Sequence, residues 1–315
     1  MFVGELCCLF AWLIKRQIVK YRNAGKTEDE IPLSPGTDMA QKTKLKTKIN
    51  PLYLAIPATC DICGSTLMFV ALTQCAASVY QMMRGIIVVI TALMSIIFLK
   101  RKQYFHHWTC IAFIVAGVAI VGFASIKASD DGDSGTTQTT FTGVILLLIS
   151  QCFTGTQFIS EEKILSGYYL DPLLVVGLEG FWGCLYYAIL LPIFSNINCD
   201  GPLCHNGKLE DFKAAWHSMG EHPELIAQSV GIIFSISFFN ASGVAVTKYA
   251  SAAQRATVDT CRTLFIWLIS MLVGWEKFLF LEMLGFIILV SATLVYNEIV
   301  ILPIEICKRN TREER

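Results

Sequence analysis

Apolar side chains fill this chain in blocks of about twenty residues, the length a helix needs to cross roughly 30 Å of hydrocarbon at about 1.5 Å per residue. Eight such runs stand out: Pro51 to Gln74, Ser78 to Leu99, His107 to Ser125, Phe141 to Ser160, Leu173 to Phe194, Leu225 to Thr247, Ala252 to Gly274 and Phe278 to Tyr296. A ninth, Met1 to Ile14, is shorter and carries Glu5, and no basic segment precedes it, so it does not read as a cleavable leader. The pattern predicts an all-α fold, a polytopic membrane helix bundle. Composition agrees: 54% of the side chains are hydrophobic, 16% are charged, and the mean hydropathy is +0.55.

Lysines and arginines orient the bundle. If the segment after the first run is cytosolic, its basic residues from Lys15 to Lys48 share a side with Lys100, Arg101, Lys102, Lys163, Lys248 and the tail from Lys308 to Arg315. Lys127, Lys208, Lys213 and Lys277 fall opposite, and Arg84, Arg255 and Arg262 lie within the runs. The C-terminus is therefore expected in the cytosol, with "SDDGDSG" and the loop around Cys199 outside it or in a lumen. A formal net charge of zero gives no reason to expect nucleic acid as a partner.

A gapless shift of the chain against itself by 174 positions lays Glu5 on Glu179, Pro51 to Gln74 on Leu225 to Lys248, "ALTQCA" on "AVTKYA", and His107 to Ser125 on Leu281 to Ile299. Identities are few, but the phase agrees over four successive segments. Under this shift the run Phe141 to Ser160 has its counterpart ahead of residue 1, so a five-helix repeat is whole in the second half and lacks its first helix in the first. Two five-helix repeats must have opposite orientations, the arrangement from which many carriers build alternating access. The expected organisation is a first repeat over 1–125, a lumenal linker over 126–140, a second repeat over 141–298 and a cytosolic tail over 299–315.

The ionisable residues inside the runs carry the functional argument. Each costs roughly 2.5 to 3.5 kcal/mol near a membrane centre. Arg255, Asp259 and Arg262 follow i, i+4, i+7 spacing and share one helical face. Asp259 can pair with either arginine, which leaves one positive charge needing a partner on another helix. Candidates are Asp61 with Ser65 one turn on, Arg84 with Gln81 one turn before it, Asn240, and the supporting acids Glu5 and Glu179. Glu179 sits in "GLEGFWG", where Gly177, Gly180 and Gly183 form a face open to close helix approach. For each residue alone, interhelical packing is the competing reading; for the set, a shared wet cavity is expected. The near balance of acids and arginines favours a zwitterionic or cationic solute, or carboxylates that carry a coupling proton, over a polyphosphate.

Other chemistry finds little footing. HExxH, GxSxG, P-loop and Gly-rich dinucleotide patterns are absent, so neither an enzyme nor a cofactor is expected. Cys60 and Cys63 form a CxxC without a second ligand pair, and no metal site is expected. Cys199 and Cys204, in a polar loop with Gly201 and Pro202, are candidates for a disulfide if that loop faces an oxidising lumen. His106 and His107 are read as interfacial residues beside Trp108.

The stretch "CDICGSTLMFVALTQCAASVYQMMRGIIVVITALMSIIFLKRK" followed by "GVAIVG" resembles the EamA-type repeat of the drug/metabolite transporter superfamily. With "EEK", "VGLEGFWG", "FFNASGVAVTKYASAAQRATVDTCRT" and "GWE" it is similar to the F branch of the nucleotide-sugar-transporter-like solute carrier family 35. The resemblance implies a ten-helix inverted-repeat carrier of an endomembrane, lysosomal or Golgi, whose cavity lies on helices matching those of Asp61, Arg84, Asn240 and Asp259. The opening "MFVGE" resembles the second helix of that pattern, so nine of ten spans are expected. The function expected is secondary transport of a small polar metabolite across a lipid bilayer by alternating access. Proton coupling and a homodimer are left open, and the substrate is an amino acid, peptide or organic cation, with a nucleotide sugar as the alternative. A non-transporting receptor or adaptor using the basic loop is the other class of reading.

Overall fold

The computed structural model describes residues 1–23, 49–75, 77–101, 103–130, 140–197, 211–274, 280–298 and 300, and these are almost entirely helical. In chain order the helices are α1 (Phe2–Asn23), a 3-10 turn Pro51–Leu54, α2 (Ala55–Leu72), α3 (Ala77–Met83), a 3-10 turn Arg84–Ile86, α4 (Ile87–Leu99), α5 (Phe105–Asp130), α6 (Phe141–Gly167), α7 (Pro172–Asn196), α8 (Phe212–Glu221), α9 (Pro223–Tyr249), α10 (Ala252–Val273) and α11 (Phe280–Tyr296).

Among the described residues six segments are long and apolar enough to cross a membrane: Pro51–Leu72, Val79–Leu99, Phe105–Ala124, Phe141–Gly167, Pro172–Asn196 and Pro223–Tyr249. Of the two other long runs of the sequence, the first is helix α10, 22 residues long with Gln254, Arg255, Asp259 and Arg262 in its first turns. Helix α11 has 17 residues, and positions 275–279 ahead of it lie outside the described residues. Helix α1 runs past the apolar stretch to Asn23, carrying Lys15, Arg16, Lys20 and Arg22 on exposed positions.

Local chemistry sets the helix ends. Asn50 and Asp171 accept bonds from the backbone N–H groups of Leu52 (3.1 Å) and Leu173 (3.0 Å), each with proline at the next position, where the missing N–H costs nothing. Ser251 accepts the Gln254 N–H at 3.2 Å at the head of α10. Helix α4 stops at Lys100, whose φ of 53° places it in the left-handed region.

The helices form two compact units, one of Met1–Thr59 with Lys163–Tyr249, the other of Cys60–Glu162 with Ala250–Arg315, so each draws on both halves of the chain. In the first unit α1 packs antiparallel on α7: an added Cβ on Gly177 would meet Leu9, one on Gly180 would meet Glu5 and Leu6, and one on Gly183 would meet Phe2. The glycine face read from "GLEGFWG" is thus the seat of α1. Ser237 of α9 donates to the Gly4 carbonyl, and Trp182 Nε1 donates to the Pro51 carbonyl at 3.0 Å. Cys8, Leu54, Leu165, Leu170, Val175, Val176 and Val244 are the core of this unit.

In the second unit α5 and α11 lie antiparallel, and a Cβ on Gly117 would come within 2.7 Å of the Gly285 carbonyl oxygen. The core around them includes Val79, Met82, Ile87, Ile114, Leu147, Phe286 and Leu289.

Close approach at Gly180 makes a specific demand. Its added Cβ would lie 2.6 Å from the Glu5 carbonyl carbon, a backbone atom that no rotamer change can move. Gly180→Ala is expected to destabilise the protein by about 1 to 3 kcal/mol through overpacking, and thermal unfolding of the detergent-solubilised protein measures it.

Candidate functional site

The second unit gathers most of the polar residues that the sequence singles out. Helix α10 begins at Ala252, whose N–H is accepted by Glu162 Oε2 at 2.9 Å, so a carboxylate caps the positive end of the helix. Glu162 also pairs with Arg101. One turn into α10, Arg255 forms an ion pair with Glu161 of α6, which is fully buried, and its guanidinium lies over the Phe158 ring at 4.0 Å.

Asp259 is the hub of the next layer. Its Oδ2 accepts from Arg84 Nη2 at 3.1 Å, and its Oδ1 lies 2.6 Å from Arg262 Nη2. The same residues give a gradient of exposure: the side chain of Asp259 is 5% exposed, that of Arg84 15% and that of Arg262 33%. Helical spacing allows Asp259 to hold either neighbouring arginine, and the structure chooses Arg262, because Arg255 points to Glu161. Arg84 opens the short 3-10 turn Arg84–Ile86, which interrupts an otherwise α-helical span. Gln81, one turn earlier, has a buried amide oxygen without a hydrogen bond among the described residues.

Asp61 of α2 accepts from the Ser65 hydroxyl at 3.1 Å and lies within the electrostatic reach of Glu161 and Arg255. Asp61, Glu161 and Asp259 thus face Arg84, Arg255 and Arg262, three acids to three bases.

Glu5, Glu179 and Asn240 belong to the first unit. Asn240 Nδ2 donates to Glu5 Oε1 at 2.6 Å, tying α9 to α1, and Glu5 and Glu179 are 2% and 4% exposed. Cys199 and Cys204 lie outside the described residues.

Sequence reading missed Glu161 and Glu162 as partners because "SEEK" sits at the polar end of an apolar run and reads as an interfacial cluster. It also missed Gln151, 1% exposed on the same helix. The signal available was the unpaired arginine, which required a carboxylate, though nothing in the sequence said which.

Comparison with known proteins gives the family. Residues 33–175 match the family model described as nucleotide-sugar transporter. Over 300 residues the chain is 35% identical to solute carrier family 35 member F6 of Homo sapiens, covering 94% of this chain and 76% of that protein. The chain belongs to solute carrier family 35. It is an integral membrane transporter and not an enzyme. A protein of Schizosaccharomyces pombe, C12G12.12, is 35% identical over 304 residues, 96% of this chain and 86% of its own length. The UDP-N-acetylglucosamine transporter of Rattus norvegicus is 30% identical over 121 residues, 38% of this family 35 chain and 37% of that transporter.

The Arg255–Glu161 pair supplies a stability test. Glu161→Gln strands a buried guanidinium and is expected to cost about 3 to 5 kcal/mol, whereas replacing both partners by methionine should recover most of that loss. Melting temperatures of the three solubilised proteins decide: equal melting of Glu161→Gln and wild type would remove the pair from the structural account.

Proposed function

We propose that this transporter is a secondary carrier that moves a small polar metabolite across an endomembrane by alternating access, with Asp61, Ser65, Gln81, Arg84, Arg255, Asp259 and Arg262 lining or latching its solute path, Asn240 contributing to it, and Glu5 and Glu179 in support. The observation that carries the reading is the Arg84–Asp259–Arg262 triad, three charges on two segments graded from buried to partly exposed. The triad is not closed on all sides, since Arg262 retains a third of its side-chain surface. The 3-10 turn at Arg84 supports a point of bending in the same place.

The architecture proposed is an inverted duplication of five-helix repeats, over 1–125 and 141–298, joined through 126–140. Helix bounds support it: a shift of 174 carries α1 onto α7, the segment Ala77–Leu99 onto α10, and α5 onto α11. Two of these pairs touch and run antiparallel, Leu9, Leu6 and Phe2 against Gly177, Gly180 and Gly183, and Gly117 against Gly285. Packed equivalents of opposite direction are what inversion requires.

The balanced charges favour a zwitterionic or cationic metabolite, or carboxylates that carry a coupling proton. A nucleotide sugar is the second reading, favoured by the family model over 33–175 and by the likeness to the UDP-N-acetylglucosamine transporter. Proteoliposomes loaded in parallel with amino acids, an organic cation and UDP-N-acetylglucosamine separate the two. Arg262→Gln, which leaves Asp259 paired with Arg84, is expected to keep the fold and lower uptake at least about tenfold, the scale of one lost charged contact of about 1.4 kcal/mol or more. Undiminished uptake by Arg262→Gln would assign the triad to packing.

A further inference from the structure

Outside this network, a second cluster of chemically able side chains lies where α5 begins and α11 ends. His106 and His107 sit in the first turn of α5, and Glu298 follows the last turn of α11. Antiparallel packing of the two helices brings these positions together although 191 residues separate His107 from Glu298.

Three observations converge on the cluster. His106 Nε2 and His107 Nε2 lie 3.5 Å and 3.8 Å from the same oxygen, Glu298 Oε1, and a ligand atom from each of the three residues falls within 4.8 Å of the others. Next, His106 is 7% exposed, yet neither of its ring nitrogens makes a hydrogen bond among the described residues. A buried imidazole in that state loses hydration with only the long contact to Glu298 in return. Finally, Glu298 adopts a φ of 58°, in the left-handed region that a residue with a Cβ enters at a cost.

We propose that His106, His107 and Glu298 form a binding site for a divalent transition-metal ion of the zinc class. Bonds of about 2.0 to 2.2 Å to nitrogen and oxygen place tetrahedral ligand atoms roughly 3.3 to 3.6 Å apart, close to the separations already present. Two imidazoles and one carboxylate select zinc, cobalt, nickel or copper over magnesium or calcium, which prefer all-oxygen shells. His107 and Glu298 also line a cavity of about 110 Å³ together with Gln103, Ser251, Gln254 and Asn297, from which water could complete the coordination. At about 30 Å³ per water, that volume holds roughly three or four waters. Arg101 also borders the cavity, and its charge is balanced by Glu162. His107 Nδ1 accepts the Tyr104 N–H at 3.4 Å, a long contact that the ring gives up when Nε2 takes the metal and the proton moves to Nδ1.

The site clamps the end of α5 to the end of α11, and it stands independently of what the carrier moves. No metal was expected from the sequence because ligand-spacing rules look for nearby pairs, and here the third ligand arrives through helix packing.

The test uses the untagged full-length protein in detergent, titrated with Co²⁺ for its ligand-field absorption and with Zn²⁺ by calorimetry. The expected result is one ion per chain, Co²⁺ displaced by Zn²⁺, no response to Mg²⁺ or Ca²⁺, and affinity lowered at least about tenfold in His106→Ala, His107→Ala and Glu298→Gln. Glu298 lies beyond the helix, so Glu298→Gln remains informative should a histidine variant fail to fold. Absence of stoichiometric binding overturns the proposal. So does binding that survives Glu298→Gln unchanged, which would place the ion on other groups such as cysteine thiolates.

Discussion

An ionised side chain among apolar helices is tolerated only when an opposite charge meets it, and that requirement organises the second unit of this protein. Arg255 finds Glu161, and Arg84 and Arg262 converge on Asp259. The links from Arg255 to Glu161 and from Arg84 to Asp259 join segments far apart in the chain, so the charges hold the turn Arg84–Ile86, α6 and α10 in one geometry. Buried pairs of this kind stabilise little against apolar replacements of equal volume, but removing one partner strands the other charge.

Small residues make the arrays possible. Helix α1 lies close to α7 because Gly177, Gly180 and Gly183 present no side chain there, and the same logic brings Gly117 of α5 against Gly285 of α11. In lipid, where burial of apolar surface gives no drive for one helix to meet another, close backbone approach and hydrogen bonds between helices supply the association. The Asn240 bond to Glu5 does this in the first unit, and the Glu162 cap of Ala252 does it in the second. Both acids are almost fully enclosed.

The same antiparallel seam of α5 and α11 that packs glycine against glycine also delivers His106 and His107 to Glu298 at its end. Backbone geometry thus produces two kinds of chemistry from one construction principle. A charge lattice lies among the helices, and a nitrogen and oxygen cluster lies where two of them terminate.

Sequence alone determined the class of molecule, since runs of about twenty apolar residues cannot be buried in a soluble core of this size and read as membrane helices in any context. It also determined the face shared by Arg255, Asp259 and Arg262, because helical periodicity is local, and the glycine face of "GLEGFWG" for the same reason. Family membership was legible too, in strings spread along nearly the whole chain. Partners were not. Asp259 could take either arginine of its own helix, and only packing gave Arg255 to Glu161 and brought Arg84 to Asp259. The histidine pair read as an interfacial feature until α11 placed Glu298 beside it. Periodicity speaks for one helix at a time, whereas an ion pair or a ligand set depends on which helices touch, and that is settled by shape complementarity between surfaces distant in the chain.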